Sequence, residues 1–410
     1  MVGYRTNGFS YPRPKANSMN TSYRSRVTEN AILRDGRSPD RQILPMSARI
    51  NILPNKSVRI IGRPQGCSVR LDRLLIKHAE RWHINRAEIM RFPWLSAGPA
   101  GAFAPGERTA LPARRIPLAG DVSLEVTYLG PREQGEPFES CLFVYQDGNQ
   151  AIRSTASTGI VSAKIRSDVQ VRARVARPTQ GYTFQATVQP REPFWPQRLA
   201  ISDAEHWVIH DLRINGISLL AQDGDLPGIL FSDATHPPLP PLRFGMLSVD
   251  DGLEITATYV GSESMPVLAC ELSGSATAPN PEEAPDSVST FLPIATRAKI
   301  FPSQSAEIKS NLCIPSNVDD NWGMPFQASQ IVIADADDWV VNDIQIGNLS
   351  QFCQSGSVPG VAFSVAAAES VRMTTLQSSM DCVINVTYIG TREEGAPFLC
   401  GIAGNALRSA

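Results

Sequence analysis

The chain has 410 residues, 42% of them hydrophobic and 19% charged, and a net charge of −2. That is the composition of a globular protein with room for about two to four separate cores. It excludes a chain that as a whole would seek nucleic acid or acidic lipid. No apolar run approaches the roughly 18 residues of a membrane span, and the first residues lack the apolar core of a signal peptide. The 29 glycines and 32 prolines favour short strands and turns over long helices.

Residues 1–43 carry eight Arg or Lys, among them Arg5, Arg13, Lys15, Arg24 and Arg26, against Glu29, Asp35 and Asp40. The stretch is therefore +5 and the remainder −7. With few aliphatic residues it reads as an extended arm that orders against a partner. Tyr4, Phe9, Tyr11 and Tyr23 between the basic residues would let it neutralise phosphate and stack on bases. The charge is scattered rather than clustered, which favours an arm draped over a neighbouring subunit, with nucleic acid as the second partner.

The rest of the chain repeats itself, and repetition at this length fixes architecture. Three related modules are expected at 44–146, 155–273 and 291–405, with a Pro/Ala/acidic linker at 274–290. Modules 1 and 3 open alike, Leu44 to Pro54 and Leu292 to Pro302, with Arg49 and Arg297 each four residues after the first proline. Ser57 matches Ser305, and module 2 has a weaker counterpart at Gly159 to Ile165. Each module then carries a tryptophan motif, around Trp82, Trp207 and Trp339. In the third, the residues after Trp339 alternate polar and apolar, which predicts two short strands or one bent strand with the indole as core filler. A Pro-Gly loop follows in modules 2 and 3, Pro227-Gly228 and Pro359-Gly360, and should be a turn in which glycine accepts positive φ. Phe231 and Phe363, and Phe103 after the shorter loop of module 1, return the chain to the core. Each module closes on a β-branched run ending in Tyr-x-Gly, at Tyr128, Tyr259 and Tyr388. The fold class expected is all-β: three tandem antiparallel, jelly-roll-like β-sandwiches behind an extended N-terminal arm.

Catalytic patterns are scarce. His206 and His210 flank Trp207, but on a strand residues four apart lie roughly 13 Å from each other, too far to share one ion. Their counterparts (Arg81 and Asn85, Asp338 and Asn342) vary so freely that a solvated surface is expected. The acids Asp319, Asp320, Asp335, Asp337, Asp338 and Asp343 lack a calcium-loop pattern. Asp211 and Asp343, four residues after their tryptophans, are suited to capping strand amides. Seven cysteines without a Cys-x-x-Cys pair, with Cys141, Cys270 and Cys400 at similar places, read as buried thiols in a reducing compartment. Neither a nucleophile elbow, nor a phosphate loop, nor a dinucleotide fingerprint is found. No catalytic residue, cofactor or metal is expected, and no enzyme.

Taken together, the Trp-centred repeat, the Val-Thr-Tyr-x-Gly strands, the Pro-Gly loops and the arm resemble in layout the virion structural proteins: capsid, cement or vertex components built from tandem β-sandwiches with extended arms. The resemblance implies a phage-type particle protein made in the host cytoplasm and resident in the virion, with copies of itself and other shell proteins as partners. It also implies an arm that locks neighbours and, through three modules in one chain, an imitation of a trimer. The alternative is a carbohydrate-binding or adhesin-like surface protein, for which Trp94 or Trp195 would be the exposed stacking residue.

Overall fold

A computed structural model describes residues 41–407 apart from 66–67, 108, 110, 112–114, 118–119, 147–168, 180, 233–241, 243–244, 264–265, 278–286, 312–325, 348 and 368–379. The arm residues Arg5, Arg13, Lys15, Arg24 and Arg26 lie outside the described residues, as do Asp319, Asp320 and the expected opening of module 2 at 159–165.

Module 1 contains β1 (Arg41–Pro45), β2 (Ala48–Ile52), β3 (Ser57–Gly62), β4 (Val69–Ile76), β5 (Trp82–Ile89), β6 (Phe92–Leu95), β7 (Gly98–Pro99), β8 (Arg115–Ile116), β9 (Val122–Tyr128), β10 (Glu136–Phe138) and β11 (Ser140–Gln146). Module 2 contains β12 (Val169–Val175), β13 (Thr183–Val188), β14 (Trp195–Ile201), β15 (Trp207–Ile214), β16 (Ile217–Ser218), β17 (Leu226–Pro227), β18 (Leu253–Tyr259) and β19 (Leu268–Ser275). Module 3 contains β20 (Ser287–Ile300), β21 (Ser305–Asn311), β22 (Phe326–Ile333), β23 (Trp339–Ile346), β24 (Leu349–Ser350), β25 (Val358–Pro359), β26 (Asp381–Tyr388) and β27 (Ala396–Leu407). The ends of the expected 274–290 linker are therefore strand: β19 continues through Ser275 and β20 begins at Ser287.

In module 1 one sheet has the order β1-β11-β4-β8 and the other β3-β9-β5-β6. Its eight main strands thus divide four and four between two antiparallel sheets, in the pairing of a jelly roll. Modules 2 and 3 repeat the plan as β12-β19-β14 with β13-β18-β15-β16, and β20-β27-β22 with β21-β26-β23-β24.

The tryptophan motif resolves into one bulged strand. A short 3₁₀ turn precedes each tryptophan, entered through a left-handed residue: His78, Asp203 and Asp335, with φ of 49°, 51° and 46°. Asp is among the residues that tolerate that region best. Each strand then slips register after its third residue, so that Asn85, His210 and Asn342 are the extra residues of β-bulges. Asp211 and Asp343, the next residues, accept the following backbone N–H at 2.9 Å, Leu212 and Ile344 respectively. They also receive the hydroxyls of Ser218 and Ser350. These carboxylates cap the bulges, as side-chain oxygens do in turns.

Trp82, Trp207 and Trp339 are buried, and each meets the closing tyrosine: Tyr128 at 4.9 Å, Tyr259 at 5.1 Å and Tyr388 at 4.9 Å between ring centres. A second ring meets each edge-on, Phe138, Phe184 and Phe398. Such tilted and edge contacts suit aromatic quadrupoles. Phe103, Phe231 and Phe363 are buried at the ends of 3₁₀ turns. The tyrosine ring folds over the glycine two residues on, and a Cβ at Gly130, Gly261 or Gly390 would collide with the phenol. The Pro-Gly loops differ from expectation. Gly228 and Gly360 do not take positive φ but open the 3₁₀ turns. They are glycine because a Cβ would strike the backbone oxygens of Ala204 and Trp207, or of Ala336 and Trp339.

Candidate functional site at the module junctions

The outward face of a sandwich sheet is normally solvated, yet on β1, β4 and β11 it carries Ile43, Leu75, Cys141 and Phe143, all buried in the core cluster of module 3. Phe291, Val332 and Ala403 of module 3 are likewise buried in the cluster of module 2. The two junctions are copies of each other. Ile43 forms a parallel bridge to Phe352, donating its N–H to Gln351 O and accepting from Cys353 N–H at 2.9 Å. Phe291 does the same to Leu220, donating to Leu219 O at 2.9 Å and accepting from Ala221 N–H at 2.8 Å. The next residue on each receiving corner is a glutamine. Gln354 donates to Pro45 O at 2.6 Å and accepts from Arg63 N–H; Gln222 donates to Pro293 O at 3.0 Å and accepts from Asn311 N–H. Two residues further on, Gly356 and Gly224 lie against those same prolines, so that a Cβ would stand 2.6 Å from Pro45 Cβ or 2.8 Å from Pro293 Cγ.

The arginines of the repeated openings complete each junction. Arg49 donates to Ser357 Oγ (2.7 Å), Ser357 to Asn342 Oδ1 (3.1 Å) and Asn342 to Thr387 Oγ1 (2.8 Å), which pairs with Ser305. At the other junction Arg297 donates to the Asp225 carboxylate (3.1 Å), Asp225 bonds His210 Nδ1 (2.7 Å) and His210 Nε2 bonds Thr258 Oγ1 (2.7 Å), which pairs with Thr183. An acid, an imidazole and a hydroxyl in line have the connectivity of a nucleophilic triad. The same positions in module 3 hold Ser357, Asn342 and Thr387, where no base exists, so the arrangement is the ionisable edition of a structural relay. The polar residues beside the tryptophans are thus not simply a solvated surface: Asn342 and His210 link module cores to arginines of the next module. Both His210 ring nitrogens are occupied, by Asp225 and Thr258. His206 sits on the exposed 3₁₀ turn.

Hydrogen bonding from His210, opposed by burial and reinforced by Arg297, holds the Asp225 carboxyl at about 2, below its ordinary 3.8. A depressed carboxyl pKa stabilises the fold above the unfolded value and ceases to do so as pH falls through the folded one. The His210–Asp225–Arg297 relay should therefore lose on the order of 2 kcal/mol between pH 3.8 and about 2, most of it from the His210 bond within module 2 and a smaller part from Arg297 across the junction. The junction of modules 1 and 3, with Ser357 in that place, should not. Acid unfolding followed by hydrogen exchange at each junction tests this, and Asp225→Asn should flatten the difference.

Other candidates fall as follows. Cys141, Cys270, Cys353, Cys382 and Cys400 are buried, and burial pushes the Cys270 and Cys382 thiols up to about 12. Cys141 is one residue out of step: Ile76, Ile201 and Ile333 pair with Ser140, Cys270 and Cys400. One step along a strand reverses the face, which is why Cys141 enters the junction. Trp94 is 5% exposed and packs in the module 1 core, and Trp195 is half-buried on β14. Asp335 pairs with Arg392, and desolvation first, then Asp335, raises the Asp338 carboxyl above its ordinary value. No group of three His, Cys, Asp or Glu among the described residues could hold a metal ion. Two cavities of about 10 Å³, lined around Leu242, have space for a single water. No helix among the described residues is long and apolar enough to cross a membrane. Gln222 and Gln354 escaped sequence reading, although a Gln-x-Gly triplet precedes both Pro-Gly loops.

No family model matches the chain, and no curated protein sequence matches it.

Proposed function

We propose that this chain is a non-enzymatic structural protein of a viral, phage-type particle, placed in the shell or on its surface through contacts with copies of itself and other shell proteins. What supports the reading most is the repeated junction. Two of the three sandwiches use apolar residues of an outer sheet face, with a repeated polar relay, to hold the neighbouring module of the chain in place. Packing of like domains through a repeated contact is one way in which assemblies are built. Fold alone does not decide function, and the layout would equally suit a sugar-binding protein if an aromatic platform were open. Trp94, one of the two candidates for that platform, is in the core, which weakens the alternative. The expected arm at 1–43 gives way to strand β1 from Arg41, and on the proposed reading residues 1–40 tie neighbouring subunits together.

The test is imaging of the purified full-length chain, alone and with residues 1–40 removed, a cut that leaves β1 and Ile43 in place. Shells, rings or sheets that shrink or vanish without the arm are expected. A chain that stays monomeric up to its solubility limit, and is absent from particles made in its native host, would sink the proposal.

A further inference from the structure

Both junctions run in one direction. A module offers the outer face and edge of its first sheet, and the receiving module offers the corner after its short fifth strand. Module 1 is seated on module 3, and module 3 on module 2. Among the described residues, the offered face of module 2 and the receiving corner of module 1 are left over. Such a head-to-tail contact, if it recurred between chains, would generate open fibres.

The register identifies what stands at both leftover places. Ser273, Ala403 and Phe143 occupy one position on the last strand, and their partners are Gln170, Phe291 and Ile43. Two residues on, Arg172 stands where the plug prolines Pro293 and Pro45 stand. Arg172 pairs with Glu271, its side chain 68% exposed, and Gln170 and Arg174 are exposed beside it. On module 1, Ala87 pairs with Leu95, which places Ser96 where Phe352 and Leu220 form their bridges. Only Ser96 and Ala97 separate Leu95 from β7 (Gly98–Pro99). Neither the clamping glutamine nor the receiving glycine has room in that corner. The apolar bridge residue, the proline plug, the glutamine clamp and the glycine socket are thus all replaced at the ends, and all present inside.

We infer that Gln170, Arg172 and Arg174 on the open edge of β12, with the shortened corner Leu95–Gly98, are terminators that confine the junction to a single chain and stop copies from adding end to end. Charged side chains on an exposed edge strand are a known guard against edge pairing, and repeat arrays end in polar caps. The inference goes beyond the particle reading. It concerns which surface copies of the chain do not use, and it stands whether or not the chain builds a shell.

The test is to restore the missing parts in the full-length chain. Gln170→Phe with Arg172→Pro rebuilds the offered face. Pro45 and Pro293, at the matching register two residues from the bridge, show that the open edge accepts proline without loss of a ladder bond. Exchanging Ser96-Ala97 for the corner Phe352 to Ser357 rebuilds the receiving side. Sedimentation velocity should show that either change alone leaves the wild-type size distribution, that a mixture of the two forms a one-to-one dimer, and that the doubly altered chain adds end to end with rising concentration. Two results would overturn the inference. One is a doubly altered chain, folded by its unchanged circular dichroism and melting temperature, that associates no more than wild type. The other is cross-linking between Gln170 and Ser96 positions of different wild-type chains. Loss of particle formation in wild type would count against the particle reading and leave this result untouched.

Discussion

Trp339→Ala should cost about 3–5 kcal/mol and loosen both junctions at once. The indole is among the largest fully buried side chains and touches Tyr388 and Phe398. Deletion of a ring that size leaves a cavity which β-sheets on both sides cannot close. Module 3 is also the middle of the string. Its core cluster takes in Ile43, Leu75, Cys141 and Phe143 of module 1, and its Phe291, Val332 and Ala403 enter that of module 2. Opening the middle should therefore raise hydrogen exchange at β1 and at β17, far from the substitution. Trp82→Ala offers the contrast. Its cavity costs a similar amount, but the core around it belongs to module 1, so the exchange of Phe291 and Ala221 amides should stay as in wild type. Equal effects of the two substitutions on β17 would mean that the modules do not unfold in the order of their docking.

The repeat made the modules legible in advance, for a physical reason. Apolar spacing, Tyr-x-Gly and Pro-Gly are each forced by close contacts inside one sandwich, so they recur wherever the sandwich does. Asp211 and Asp343 were readable as amide caps because a short carboxylate after a core residue has few other uses. The junctions were only half visible. Leu44-Pro45 and Leu292-Pro293 repeat, but nothing in a linear reading indicates that these prolines press on Gly356 and Gly224 more than sixty residues away. The drift from Asn85 to His210 to Asn342 reads as surface because His210 and Asn342 reach the neighbouring module only through a partner in their own module: Ser357 suits the Asn342 amide and Asp225 the His210 imidazole, and each partner in turn takes an arginine from across the junction. From sequence the glycine of the Pro-Gly loop reads as a backbone-φ residue, whereas it answers to a carbonyl oxygen on a neighbouring turn that only the fold brings near.

Gly356→Val should detach module 1 from module 3 without unfolding either. A Cβ at Gly356 would stand 2.6 Å from Pro45 Cβ and 3.0 Å from Pro45 Cγ, a rigid ring at the last position of β1. Neither side can give by a rotamer change, since Pro45 also has its carbonyl held by Gln354 at 2.6 Å. Overpacking of this kind costs about 1–3 kcal/mol, and here it acts on a docking equilibrium rather than on a core. Trp82, Tyr128 and Phe138 lie wholly within module 1, so that module should keep its near-ultraviolet circular dichroism. The amides of Ile43 and Cys353, bonded across the junction, should exchange faster, and the radius of gyration from X-ray scattering should rise. Gly224→Val should do the same for module 2 through Pro293, with the milder clash of 2.8 Å and with the Arg297–Asp225–His210 relay resisting it. Gly101→Val, where a Cβ meets nothing within 4 Å, is the control. Adding Pro45→Gly to Gly356→Val should recover part of the protection at Ile43, because removal of the ring vacates the space the valine needs. If Gly356→Val instead left Ile43 protected and lowered the melting of module 3 as a whole, the socket would be a part of that module's core rather than a joint.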